Sequence, residues 1–219
     1  PRLRKPDHRL MSVRYGSRSR PGTMVSTWLN GLVSGTTATG AAYFAGGSES
    51  AGYVATVDKF AFPNDARTTL ATGLSAARGH MAGAANSGTA AYFAGGYESA
   101  GNVATVDKFA FSDDARTTLG AGLSAARRGL AGAANSGTAA YFAGGYGTGY
   151  AATVDKFAFS DDSRTTLATG LSAARIDGGG AANSGTAAYF GGGYAASGAV
   201  ATVDKFAFSD DSRTTLATG

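Results

Sequence analysis

Apolar and polar positions along this 219-residue chain fall into a pattern that returns every 48 or 49 residues. Its clearest statement is the apolar run Ala91, Tyr92, Phe93, Ala94, which follows Gly88-Thr89 and ends on the doublet Gly95-Gly96. Tyr43-Phe44, Tyr141-Phe142 and Tyr189-Phe190 repeat it, each leading into its own glycine doublet. Apolar residues without strict alternation suit a strand covered on both faces, here Thr89 to Ala94. The doublet marks where the backbone must turn tightly or approach another segment closely. An alternating stretch follows. From Val103 to Phe111, residues Thr105, Asp107, Phe109 and Phe111 share one face of a strand, and Val106, Lys108 and Ala110 the other. Val-Asp-Lys-Phe-Ala-Phe recurs four times, at Val57, Val106, Val154 and Val203.

Two weaker elements complete each unit. A small, glycine-rich strand runs from Met81 to Asn86 before a Ser87-Gly88 turn, and another starts at Arg116 and runs through Leu119 towards Gly122 and Arg127. Ser112-Asp113-Asp114 makes the turn between the last two, because short polar side chains bond to their own backbone there. No stretch sustains a helical period; Leu74–Arg78 could form one turn, bounded by Gly73 and Gly79. Four short strands in about 50 residues, separated by turn signals, predict an all-β fold built of β-propeller blades. The four repeats span about 32–80, 81–129, 130–177 and 178–219, within a propeller domain of residues 23–219.

Ahead of the repeats the pattern changes twice. Residues 1–22 read as a basic arm: Arg2, Arg4, Lys5, Arg9, Arg14, Arg18 and Arg20 face only Asp7, and Pro1, Pro6 and Pro21 discourage regular structure. It is either a solvated tail or an arm for an acidic surface. Only Tyr15 is aromatic among those charges, so base stacking is not indicated, and nothing reads as a groove-entering element. Nucleic acid is therefore not the expected partner. Residues 23–35 carry Val25, Trp28, Leu29, Leu32 and Val33 without a charge and predict one or two buried strands. Leu32 aligns with Met81 and Leu130, so the first repeat is expected to own an inner strand of divergent sequence.

The repeats resemble the kelch repeat. The resemblance is carried by Arg78, Arg127 and Arg175 starting the inner strands, by the doublets Gly46-Gly47, Gly95-Gly96, Gly144-Gly145 and Gly192-Gly193, and by Phe60, Phe109, Phe157 and Phe206 in the third strands. It covers about residues 32–219 and implies a kelch-like β-propeller of four four-stranded repeats of about 49 residues. Family members usually have tyrosine where Phe109 stands and tryptophan near Leu119; here the blade core is left to Phe, Leu and Tyr, and Phe60, Phe109, Phe157 and Phe206 are expected to be equivalent buried residues between blades. Alanine- and glycine-rich kelch-like repeats of phage appendages and bacterial surface proteins are similar, which implies an extracellular or virion-associated setting.

Composition narrows the chemistry further. The net charge of +4 is a property of the arm, since the 199 residues after position 20 carry twelve basic and fourteen acidic groups. Zero cysteines exclude disulfides and thiolate chemistry. No apolar run reaches the roughly 18 residues expected of a membrane span. There is no Asn-x-Ser/Thr acceptor. His80 gives way to Gly129 and Asp177 in the next two repeats, so no metal site recurs with the units. The pairs Asp113-Asp114, Asp161-Asp162 and Asp210-Asp211 lack the alternating ligands of a calcium loop and read as hairpin turns. Three equivalent copies also argue against catalytic carboxylates, which need distinct environments. Asp107 shares a face with two phenylalanines and is expected to be a buried anchor bonded to backbone or to the repeated arginine. No cofactor and no enzymatic activity are expected.

Variation concentrates in the loop after each doublet, where Tyr53, Tyr97, Glu98, Tyr146, Tyr150 and Tyr194 stand. A faithful framework with one variable loop indicates either a binding face or a loop under no constraint. The expected function is a non-enzymatic structural or interaction protein that self-assembles into an extracellular fibre or virion appendage. Its partners are other copies of itself, and Arg14, Arg18, Arg20, Val25, Trp28 and Leu29 form the candidate assembly segment. The alternative is a carbohydrate-binding module that stacks surface glycans on the loop tyrosines.

Overall fold

The protein is described here by a computed structural model covering residues 40–62 and 64–217. The basic arm, the segment with Val25, Trp28 and Leu29, and the inner strand expected around Leu32 lie outside the described residues. Within them the fold is all-β, with no helix. Three four-stranded antiparallel sheets follow one another: Ala82–Asn86, Ala90–Ala94, Val106–Ala110 and Arg116–Thr118; Ala131–Asn135, Ala139–Ala143, Val154–Ala158 and Arg164–Thr166; Gly179–Asn183, Ala187–Gly191, Val203–Ala207 and Arg213–Thr215. A three-stranded sheet precedes them: Ala41–Ala45, Val57–Ala61 and Ala66–Thr69. Each sheet is a meander, its strands ordered as in the chain.

Register gives every sheet two unlike faces. Lys108 pairs with Tyr92, and Asp107 with Phe93 and Thr118; directly paired residues point the same way. One face therefore presents Tyr92, Lys108 and Val106, and the other Phe93, Asp107 and Phe109. The tyrosine face of each unit meets the phenylalanine face of the next. Tyr92, Ala94 and Val106 pack on Phe142 and Phe157, and Tyr141, Ala143 and Val154 on Phe190 and Phe206. Phe109, Phe157 and Phe206 are wholly buried, as expected, whereas Phe60 in the first unit is half-buried.

Successive inner strands approach almost backbone to backbone. A Cβ added to Gly132 would lie 2.3 Å from the Gly83 carbonyl oxygen, and one added to Gly180 would lie 2.2 Å from that of Gly132. Only glycine permits that distance. Ahead of these strands a hydrogen-bond relay links the units: Gly129 donates its N–H to the His80 carbonyl, and Asp177 donates to that of Gly129. His80, Gly129 and Asp177 all adopt positive φ, at 58°, 62° and 57°. His80 thus occupies a repeated backbone position in a left-handed conformation.

The strands are shorter than the pattern suggests, and hydrogen bonding explains the limits of the third and fourth. The inner strand starts at Ala82 rather than Met81. Val103–Thr105 leave the third strand because the Val103 N–H donates to Gly96, and the Thr105 carbonyl accepts from Gly95. The fourth strand stops at Thr118, after which Leu123 and Arg127 donate to Ala104 and Val103 and run the chain back along its own unit. Leu74–Arg78 forms no helical turn, since Leu74 and Arg78 donate to Ala55 and Val54. Small hairpins after the doublets were not foreseen: Ser48–Glu49 with Gly52–Tyr53, Tyr97–Glu98 with Gly101–Asn102, and Tyr194–Ala195 with Gly198–Ala199.

Candidate functional site

The ionisable groups of the repeats converge on the junctions between units. The Leu-Ser-Ala-Ala-Arg loop leaving one sheet closes over the aspartate of the next. Asp155 accepts from the Ser124 N–H and hydroxyl, each at 2.9 Å, from Arg127 Nη2 at 2.8 Å and from Thr166 Oγ1 at 2.7 Å. Asp107 and Asp204 receive the same set from Ser75, Arg78 and Thr118, and from Ser172, Arg175 and Thr215. All three carboxylates are fully buried. Burial alone would raise their pKa values. The serine and threonine hydrogen bonds and the adjacent guanidinium outweigh it, leaving all three below the ordinary carboxylate value. The anchor read from Asp107 is thus an inter-unit clasp, bonded to both backbone and arginine. The arginines lie in the connecting loops, four residues ahead of their inner strands, and do not start them.

A second contact uses the turn aspartates. Asp114, Asp162 and Asp211 adopt positive φ of 58°, 59° and 57°, a conformation aspartate tolerates better than most residues. That geometry aims each carboxylate at the preceding unit. Asp162 accepts from Tyr92 Oη at 2.7 Å and Lys108 Nζ at 2.8 Å, and Asp211 accepts from Tyr141 Oη and Lys156 Nζ, both at 2.7 Å. Tyr43 and Lys59 hold Asp114 likewise. Burial first, and then the carboxylate neighbour, push the Tyr43 phenol up to about 12, and the Tyr92 and Tyr141 phenols upward as well. The first aspartate of each pair serves its own turn, as Asp113 does by accepting from the Ala115 N–H. The pairs are therefore turns, as expected, but they are also half of the junction. Asp114 and Asp162 are occupied by these contacts, while Asp113 and Asp161 remain exposed.

Sequence reasoning missed this second role. The recurrence of Tyr, Lys and the second Asp was visible, but the partners lie 70 or 71 residues apart for tyrosine and 54 or 55 for lysine. Only the stacking order of the sheets brings them together.

The loop tyrosines gather along one edge of the array. Tyr53 meets Tyr97 edge to face at 5.8 Å between ring centres, and Tyr146 meets Tyr150 at 5.4 Å. Arg128 is wedged between, its guanidinium 4.8 Å from the Tyr97 ring centre and 5.3 Å from that of Tyr146, with Nη1 donating to Asn102 Oδ1. Sequence reasoning overlooked Arg128; the available signal was its replacement by Gly79 and Ile176 at the equivalent bridge positions. Tyr53, Tyr97 and Tyr146 are half-buried against their neighbours, whereas Tyr150 and Tyr194 are exposed. Among the described residues no ring contact joins Tyr194 to the row. Glu98 lies half-buried in the second hairpin. Tyr53, His80, Tyr97 and Arg128 line an open cleft of about 290 Å³. The six candidate assembly residues between Arg14 and Leu29 fall outside the described residues.

No helix among the described residues is long and apolar enough to cross a membrane. Neither the models of known protein families nor the curated proteins give a match to this chain.

Proposed function

We propose that the protein is a non-enzymatic structural repeat scaffold that assembles with copies of itself, its four units being kelch-like propeller blades. The setting that suits this reading is an extracellular fibre or virion appendage. One observation carries it: the units are joined by the same contacts at each of three junctions, and among the described residues nothing covers that contact surface at either end of the array. At the first unit Phe44 and Phe62 are 61% and 46% exposed, although the counterparts of Phe44 at Phe142 and Phe190 are buried. At the last unit Gly179–Asn183 is exposed along its whole length, whereas the equivalent Ala131–Asn135 is buried or half-buried. Apolar surface of this kind is a recognition surface when left open. Light scattering on size-fractionated protein, with electron microscopy of the same fractions, tests the proposal. Species heavier than the 21.8 kDa chain, growing with concentration, are expected. A monomer at every concentration would overturn it.

The cleft beside Arg128 and the exposed rings of Tyr150 and Tyr194 favour carbohydrate binding as the second reading. A glycan array with wild type and with Tyr97→Ala and Tyr146→Ala tests it. Binding that both substitutions abolish is expected under this reading, and an array without signal removes it.

A further inference from the structure

We propose that the two end faces are the halves of one junction, and that a second copy of this chain docks head to tail with its Asp65 carboxylate between Tyr189 and Lys205 of the first. The inference rests on the assembly reading above and names its contact. Within the chain the rule is uniform: the tyrosine and lysine of one unit hold the turn aspartate of the next. Tyr43 and Lys59 hold Asp114, Tyr92 and Lys108 hold Asp162, and Tyr141 and Lys156 hold Asp211. Among the described residues this series leaves one donor pair and one acceptor over. Tyr189 and Lys205 pair across their strands as their counterparts do, yet among the described residues neither has a hydrogen-bonded side-chain partner. Asp65 stands in the turn equivalent to that of Asp114, with the same left-handed φ of 53°. It is exposed and likewise without a partner among the described residues.

The apolar parts of the two faces also correspond. At internal junctions Val154 and its sheet pack against Phe190 and Phe206. At the ends, half-buried Val203 stands on the tyrosine face and exposed Phe44 and Phe62 on the phenylalanine face. A cation and a phenol on one end, and a carboxylate among phenylalanines on the other, are complementary in charge and shape class. Among the described residues the main strand-to-strand packing runs within units or between successive ones, and the two end faces do not meet. A second copy supplies both faces at once. Such a contact is heterologous, so it extends until rotation closes it into a ring.

Two variants test the junction. Asp65→Lys places a cation against Lys205 and disables only the phenylalanine end; the double substitution Tyr189→Ala with Lys205→Ala disables only the tyrosine end. Each variant alone is expected to lose assembly and run as a single chain. A 1:1 mixture is expected to form dimers and nothing larger, because one intact face of each kind remains. Recovery on mixing also shows that both variants fold. Variants that assemble like wild type would overturn this junction while leaving the assembly reading standing, and so would loss of assembly without recovery on mixing. Wild type that never assembles overturns both. Deleting residues 1–35 separates the remaining occupant: if that deletion alone abolishes assembly while the substitutions do not, the N-terminal segment makes the contact and the proposal fails.

Discussion

Replacing the clasped aspartate in the middle of the array isolates what holds the units together. Asp155→Ala removes the acceptor of four hydrogen bonds at 2.7–2.9 Å and leaves Arg127, itself only 1% exposed, with an unpaired buried guanidinium. Breaking a buried ion pair from one side typically costs about 3–5 kcal/mol, because the stranded charge has lost both water and partner. The sequence supplies its own control. Asp58 is the same residue in the same strand of the first unit, but its side chain is 29% exposed. Among the described residues it receives only Thr69 and, at 3.6 Å, Arg67. A pair of that exposure contributes about 0–1 kcal/mol, so Asp58→Ala should cost about 1 kcal/mol or less. Urea unfolding followed by circular dichroism measures both. The clasp argument predicts a loss several times larger at Asp155. Equal losses at the two positions, or a loss below about 1 kcal/mol at Asp155, would refute it.

The same internal comparison works for packing: Phe142→Ala should cost about 3–5 kcal/mol, and exposed Phe44→Ala far less, in the same unfolding assay. Gly132→Ala should destabilise by about 1–3 kcal/mol, as overpacking does, because its Cβ would meet a carbonyl oxygen at 2.3 Å. Gly83→Ala should be tolerated, since its Cβ meets only the Phe93 ring, at 3.6 Å. For pH, the depressed values of Asp107, Asp155 and Asp204 mean that stability is fully present above the unfolded carboxylate pKa of about 4. It is lost as pH falls from there through the lower folded values, so melting temperature should drop below about pH 4. The raised phenol of Tyr43 acts at the other extreme, its contribution present below the ordinary phenol value of 10.0 and lost as pH rises towards about 12.

Periodicity made the architecture legible, because strand patterns are local. Val-Asp-Lys-Phe alternates over four residues, and that is enough to place Asp107 with Phe109 on one face and Lys108 on the other. The buried anchor followed from the cost of a lone carboxylate among phenylalanines. What lay beyond reading was everything that depends on how one sheet meets the next. Tyr92 and Asp162 are remote in sequence, and nothing in either neighbourhood announces the other. The strand ends were misjudged at Val103 and after Leu119 for a related reason: Val103 bonds to the glycine doublet, and Leu123 and Arg127 bond back to Ala104 and Val103, which a pattern of apolar spacing does not register. The Tyr53, Tyr97 and Tyr146 set was visible as a variable loop, but Arg128, which joins Tyr97 to Tyr146, belongs to a different loop, where only its replacement by Gly79 and Ile176 in other units marked it.

The near-identity of the repeats has a physical consequence for the ends. An asymmetric unit that carries a lysine and tyrosine on one face and an aspartate on the other joins to its successor by the same contact each time. Stability in such an array is approximately a sum of unit terms and nearest-neighbour terms. Copying the unit therefore copies both halves of the junction, so a run of such units carries one half on each of its two open sides. Repeat proteins avoid this with terminal units whose outer faces are polar. The first unit here departs from the others in its turn, reading Phe62-Pro63-Asn64-Asp65 where they read Phe-Ser-Asp-Asp. The substitution removes one carboxylate, since Asn64 takes over the turn by accepting from the Ala66 N–H. It keeps the second carboxylate, Asp65, which is the one the junction uses, and it keeps both phenylalanines of the face. Asp65, Phe44 and Phe62 thus keep at the surface of the described residues the three groups that the proposed junction with Tyr189 and Lys205 requires.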